Sequence, residues 1–311
     1  MTDKEKYIEL CRTEGSRIPL FLQYWWLDIV SEGRPWDVVL AEDLKGRIAG
    51  AWPYVEGHRL GMRYVLQSRL TQYTGPWVSP RIVGSRDEVV AELAAQIRQK
   101  NHAYFQQCAI PESLSEAAIR NIGMTATRRI TYRLDDISDP EAVFARFDPK
   151  GRKAKIRRCE KVTHLVEMTP EAFADMHERY WKSKGQKDIT PRSLMLRLMQ
   201  ESIARGHGRI MALANEHEQI VGAHFVVYDA ELAYFLLSTH NYYAEVKGSM
   251  ETLVWESIKW LSGKTRGYDF EGSMEPGQAY FNRSFGSRKL TYYMLELHNS
   301  KIFDLLLKLK R

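Results

Sequence analysis

Two stretches of this chain repeat each other in order, and that echo limits the fold more than any other feature. In the first half, "WDVVLAED" runs through "LKG" into "RIAGAWPYV"; in the second, "RIMALANE" runs through "HEQ" into "IVGAHFVVY". Leu40-Ala41 leads to Ile48-Ala49-Gly50-Ala51, and Leu213-Ala214 leads to Ile220-Val221-Gly222-Ala223. Downstream, Gly84-Ser85 opens an amphipathic segment that ends at Tyr104-Phe105. Gly248-Ser249 opens another that ends at Tyr268 and Phe270, with the same interval from Gly to Tyr. Alternating apolar residues on either side of a short turn predict a β-hairpin, and the longer segment predicts a helix leading to a further strand. A unit of hairpin, helix and strand occurring twice predicts duplication.

The expected fold class is therefore α/β (α+β), with two tandem domains over residues 1–138 and 139–311. Each is expected to be a mixed, mostly antiparallel sheet flanked by helices. The seam is placed in "SDPEAVFARFDPKGRKAKIRRCEKV", which carries Pro140, Pro149 and a dense basic run. Two helices then lead into the second sheet. Each is expected to open on Thr-Pro as N-cap and first helical residue (Thr169-Pro170, Thr190-Pro191) and to close on glycine (Gly185, Gly206).

At 311 residues and 44% hydrophobic, the chain is long enough for two cores. A formal charge of +6 favours anionic partners. Cys11, Cys108 and Cys159 are scattered outside any CxxC spacing, which argues against a disulfide framework and a thiolate metal site. His217 and His224 around "EQIVGA" do not form HExxH, and neither a Walker loop nor a GxSxG elbow is present. Helix-turn-helix and zinc-finger signatures are missing too, so DNA is not an expected partner. The charged start "MTDKEKYIEL" and the lack of a long apolar run give a cytoplasmic expectation. The end, "KIFDLLLKLKR", is basic and amphipathic: either a final packed helix or, at most, a peripheral membrane contact.

The chemistry-bearing stretch is "GYDFEGSMEPGQAYFNRSFGSRK", from Gly267 to Lys289. Asp269 and Glu271 alternate on a predicted strand, so both project from one face. Paired acids repel, which raises one of them toward the range useful to a base. Glu271, at the strand end, is the first candidate and Asp269 the second, with a structural role as the alternative for each. Arg283 and Arg288 flank Phe285-Gly286 and are candidates for holding a phosphate or carboxylate. Lys247, Gly248 and Ser249 stand where a strand gives way to a helix, a place where backbone N–H groups can hold phosphate. The alternative there is a plain N-cap. From the basic run, Lys153 and Arg157 are candidate anion contacts, with a solvated helix face as the alternative. Tyr243 is a candidate from the loop before Ser249. Phe281 and Phe285 are candidate walls of a substrate site or members of the core.

Hairpin, helix, a strand ending in "YDFEGS" and then "FNRSFG" resemble the GNAT superfamily of acyltransferases. Within it they resemble the FemABX-like branch of peptidyl and aminoacyl transferases, where two GNAT-like domains sit in tandem. Tyr268, Asp269 and Gly272 match that branch's first motif, and Phe281, Phe285 and Gly286 match the second. Arg152, Ile156, Arg157 and Lys161 resemble its basic stretch, and "GPWVSP" (Gly75 to Pro80) its Gly-Pro turn. Two departures stand out: Asn282 occupies the place of the family's lysine, with Arg283 beside it, and the helical insertion of some members is missing. The resemblance implies transfer of an acyl or aminoacyl group to a small-molecule or peptide amine, with no tightly bound cofactor. It implies either aminoacyl-tRNA, hence charged tRNA as a partner, or acyl-CoA as donor co-substrate. An acyl-CoA-dependent N-acetyltransferase and a non-catalytic binding scaffold are the alternatives.

Overall fold

The computed structural model describes every residue except Glu245, Ser273, Lys310 and Arg311. The chain forms two compact units: Met1–Arg129 with Leu290–Arg311, and Ile130–Lys289.

The first unit opens with helices α1 (Asp3–Thr13) and α2 (Tyr24–Val30). The predicted hairpin follows as β1 (Trp36–Glu42) and β2 (Ile48–Arg59), antiparallel, with Ala41 facing Gly50 and a register shift at Ala41/Glu42. β3 (Met62–Val65) turns back along β2, and the short β4 (Trp77–Val78) also pairs with β2. Helix α3 (Arg86–Gln99) buries Val90, Leu93, Ala94 and Ile97, the i, i+3, i+4, i+7 stripe of a helix laid on a sheet. It delivers β5 (Tyr104–Cys108), which runs parallel to β3. The core gathers Val39, Trp52, Leu93, Ile97 and Phe105. Helix α4 (Glu116–Asn121) leads to β6 (Thr125–Leu134), along which the chain enters the second unit at Ile130.

The second unit adds α5 (Pro140–Ala145), α6 (Ala154–Cys159) and β7 (Thr163–Val166). Helix α7 (Pro170–Ser183) starts as its sequence demands: the Thr169 hydroxyl accepts from Ala172 N at 3.2 Å, and Pro170 is the first helical residue. Helix α8 (Arg192–Ala204) departs from expectation. Pro191 itself takes the cap position, and no side chain caps the helix. Both helices run out at a left-handed glycine, Gly185 and Gly206.

The second hairpin is β8 (Gly208–Asn215) with β9 (Ile220–Tyr228), and β10 (Leu232–His240) extends it antiparallel. Leu213 faces Gly222, with a register shift at Leu213/Ala214, so the bulge of the first hairpin recurs here. The two hairpins therefore align on Gly50 and Gly222, one residue away from the alignment on Leu40-Ala41 and Leu213-Ala214 that the letters suggest. Helix α9 (Ser249–Leu261) carries the chain to β11 (Gly267–Asp269), parallel to β10 and antiparallel to the end of β6. Its core holds Leu134, Phe147, Val226, Trp255, Tyr268 and Phe285. Helix α10 (Pro276–Arg283) closes this unit. β12 (Arg288–His298) then returns the chain to the first unit, where it pairs with β5, and α11 (Lys301–Lys308) ends it. The segment from Leu290 onward, expected with the second domain, thus folds with the first.

Hairpin, helix and parallel strand make the same mixed α/β design in both units. The helix starts differ. Ser85 caps α3 with its own hydroxyl, which accepts from Glu88 N. At α9 the cap is Gly248, without any side-chain hydrogen bond.

Candidate functional site

Gly248 has φ +96°, and a Cβ there would stand 2.7 Å from the carbonyl oxygen of Lys155. Both the left-handed backbone and the close approach exclude a side chain. The loop before it is pinned by Asn241, whose side chain donates to Ile220 O at 2.9 Å and accepts from Tyr243 N at 3.0 Å. Ser249 N donates to Val246 O at 3.1 Å; the next N–H groups of the first turn have no partner within the helix, and with the helix dipole they present positive potential at this end.

A cleft of about 580 Å³ opens at this helix start, lined among others by Lys155, Tyr180, Lys184, His240, Lys247 and Ser249. Three lysines therefore face one cleft. The acid of the region, Glu251 in the first turn of α9, is nearly buried and already engaged. Arg152, also buried, pairs with it, and Lys155 Nζ lies 3.0 Å from its Oε1. Arg152 also donates to Ser284 Oγ and lies 4.6 Å from the Phe281 ring centroid. This buried pair ties the basic segment to α9 and sets Lys155 at the mouth of the cleft. The arrangement suits a polyanion.

Where β11 ends, the two acids part company. Asp269 is fully buried. It accepts from Thr131 Oγ1 at 2.6 Å, from Arg133 at 3.0 and 3.2 Å, and from Glu271 N at 2.8 Å. The strand stops at Asp269, so the expected strand alternation does not reach Glu271, which sits in left-handed backbone at φ +59°. Such a conformation in a non-glycine residue is sparsely populated and is held here by the bond to Asp269. Glu271 Oε1 is buried and has no hydrogen-bond partner among the described residues. Burial, and then the neighbouring Asp269, push the Glu271 carboxyl well above the usual value of 4.5. One acid is locked in place; the other has a buried Oε1 without a partner among the described residues and holds its proton tightly.

The remaining candidates from sequence divide in the same way. Lys247 and Ser249 line the cleft. Tyr243 is 90% exposed and lines a neighbouring, more apolar cleft with Tyr180, His240 and Tyr242. Phe281 is half-buried beneath Arg152, and Phe285 is a core residue packed on Phe147, Phe270 and Phe281. Arg288 grips Asp135 with two bonds of 2.7 and 2.9 Å, while Arg283 is exposed at the end of α10. Lys153 donates to Ala145 O at 2.7 Å, and Arg157 lies over the Phe144 ring. Neither lines the cleft.

Lys155, Tyr180, Lys184 and His240 are among the cleft residues that sequence reasoning did not select. A signal for Lys155 was present. Arg152, Lys155, Ile156 and Cys159 are spaced i, i+3, i+4, i+7, so one helix face carries two buried apolar residues and two cations. Lys153 and Arg157 lie off that face. Nothing local marks Lys184, which reaches the cleft from the end of α7.

Residues 150–281 match the Acetyltransferase (GNAT) domain family. No curated protein matches the sequence. Among solved structures, FemX shares the fold at a TM-score of 0.71 and 10% identity, over 98% of both chains. The C-terminal domain of a putative lysylphosphatidylglycerol synthetase from Agrobacterium fabrum aligns at 0.59 with 12% identity, covering 98% of this chain and 96% of that one. A tandem GNAT protein from the clavulanic acid biosynthesis pathway aligns at 0.50 with 13% identity, over 94% of each chain.

Proposed function

We propose that this chain, with its GNAT domain match over residues 150–281 and its FemX-like fold, is a FemABX-like member of the GNAT superfamily whose second unit transfers an acyl or aminoacyl group to an amine. The observation that carries the proposal is the open start of α9. The first unit's equivalent helix is closed by Ser85, whereas α9 begins at a bare glycine in a cleft with Lys155, Lys184 and Lys247. The phosphates of a donor bind there, placing its ester or thioester carbonyl deeper in the unit.

Glu271 acts as the base. An incoming ammonium is a positive charge beside a carboxyl that is costly to ionise; it favours the carboxylate, and the carboxyl's own proton leaves to water. Glu271 then takes the proton, and the free amine attacks the acyl carbonyl. Collapse of the tetrahedral intermediate breaks the bond to the donor's oxygen or sulfur, which leaves as the alcohol or thiol with the proton shed by the amine nitrogen. Asp269 does not touch the reactants in this scheme; through its bond to Glu271 N it holds Glu271 in its left-handed turn.

The preferred donor is aminoacyl-tRNA. The loop offers one glycine at the helix start, and Lys150, Arg157, Arg158 and Lys161 extend the positive surface with exposed side chains. That spread suits an extended backbone better than a single pyrophosphate. Titration calorimetry with aminoacyl-tRNA and with acetyl-CoA tests this. Aminoacyl-tRNA should bind with a steep salt dependence, and Lys184→Ala with Lys247→Ala should weaken it at least tenfold. Binding of acetyl-CoA alone would transfer the role to a thioester donor. Binding of neither would leave the fold as a non-catalytic scaffold.

A further inference from the structure

The last helix turns its apolar side outward. Phe303 is buried, its ring 5.0 Å from Tyr64 and stacked 5.9 Å from Tyr104. Asp304 is held by His298 at 2.8 Å, and Ser300 caps the helix start. The opposite side carries Ile302, Leu305 and Leu309, which are 66%, 59% and 76% exposed. Their i, i+3, i+7 spacing makes one continuous stripe. Lys301 and Lys308 flank it, both exposed and neither in an ion pair among the described residues. A helix that merely packs on a domain shows water its polar side; this one also shows water an apolar stripe.

A fourth exposed apolar residue stands near the helix start. The two-residue turn between β2 and β3 is Leu60-Gly61, with φ of +50° and +72°. Such turns favour Asn or Asp before Gly, and a leucine there adopts a strained backbone. Leu60 is 74% exposed and next to Arg59. The following Met62 receives a hydrogen bond from Ser300 Oγ, the cap of α11.

We propose that this face of the first unit, α11 with the Leu60 turn, docks on an anionic membrane surface. The stripe enters the interface between headgroups and acyl chains, and Lys301 and Lys308 meet the lipid phosphates. The sequence adds Lys310 and Arg311, which lie outside the described residues. A stripe this narrow falls far short of the roughly 20–30 residues a side of a stable protein interface. A membrane has no such minimum, and the flanking cations select the anionic kind. No described helix is long and apolar enough to cross a bilayer, so attachment is to the surface.

Flotation of the full chain with vesicles of phosphatidylcholine, alone or with one-quarter phosphatidylglycerol, tests the proposal without any substrate. The mixed vesicles should bind at least tenfold more protein, and 0.5 M salt should reduce that binding. Leu305→Glu with Leu309→Glu should abolish it while leaving circular dichroism and the unfolding midpoint unchanged, because both side chains are exposed. Lys301→Glu with Lys308→Glu should lower binding to the anionic vesicles alone. Equal binding to both vesicle types, no binding, or a dimer in vesicle-free solution that the leucine variant dissolves would each overturn it.

Discussion

Removing one partner of the Arg152–Glu251 pair should unfold the second unit far more readily than removing both. The side chains are 6% and 9% exposed, so each charge depends on the other for compensation. Breaking a buried pair from one side costs about 3–5 kcal/mol, whereas exposed pairs are worth about 0–1 kcal/mol. Lys155, whose side chain is 44% exposed, belongs to the second class and rescues little of Glu251's loss. Arg152→Ala also forfeits the bond to Ser284 and the contact with Phe281. It should therefore lie at the upper end, with Glu251→Ala nearer the lower. With a urea m-value of about 2 kcal/mol/M, either change lowers the midpoint by roughly 1.5–2.5 M. Arg152→Met with Glu251→Leu should regain most of that, because an apolar pair has no desolvation penalty to offset. The assay is urea unfolding of wild type, the two alanine variants and their alanine double, combined as a double-mutant cycle, with Arg152→Met/Glu251→Leu measured beside them. A coupling energy near zero would refute the claim that this pair fastens the basic segment to α9.

Other outcomes follow from the same geometry. Gly248→Ala must accept φ +96° and a 2.7 Å approach to Lys155 O. Denaturant unfolding should show a loss of at least 1–2 kcal/mol from the backbone term alone, and donor affinity should fall with it. Glu271 holds its proton more tightly folded than unfolded, so its contribution to stability is complete below pH 4.5 and is lost as pH rises through its raised folded value. Glu271→Gln should therefore be the more stable protein at neutral pH, with the gap closing toward pH 4, as thermal melts across that range would show. Asp269→Ala breaks the nearly buried ion pair with Arg133, whose side chain is 15% exposed, and frees Glu271 N. A cost of about 3–5 kcal/mol and a loss of turnover exceeding that of Arg283→Ala should appear in parallel unfolding and transfer assays.

Much of this fold was legible because it occurs twice. Glycine at the hairpin, glycine before the helix and tyrosine after it recur, though not for one reason: a Cβ would be crowded at Gly50 and Gly248, but would meet only ordinary contacts at Gly222 and open space at Gly84. The one-residue offset between letters and structure comes from the bulges, which fix register by backbone geometry and not by residue type. Glu271 was legible as a strand-end acid. Its left-handed turn was not, since it depends on Asp269, which in turn depends on Thr131 and Arg133 from another strand. Lys153 and Arg157 looked equivalent to Lys155 in a basic run; only the helix face separates them. Lys184 and His240 enter the cleft from elements far apart in sequence, and no local pattern records that meeting. The destination of the final strand was equally hidden, because strand partners are chosen by tertiary packing.

The central claim is that Glu271 removes a proton from an amine while a phosphate-bearing donor sits at the start of α9. Steady-state transfer from the donor that binds, measured for wild type and Glu271→Gln with a panel of amine acceptors, tests it most directly. In Glu271→Gln, kcat should fall at least 100-fold with the donor KM unchanged. Full turnover by Glu271→Gln would contradict it.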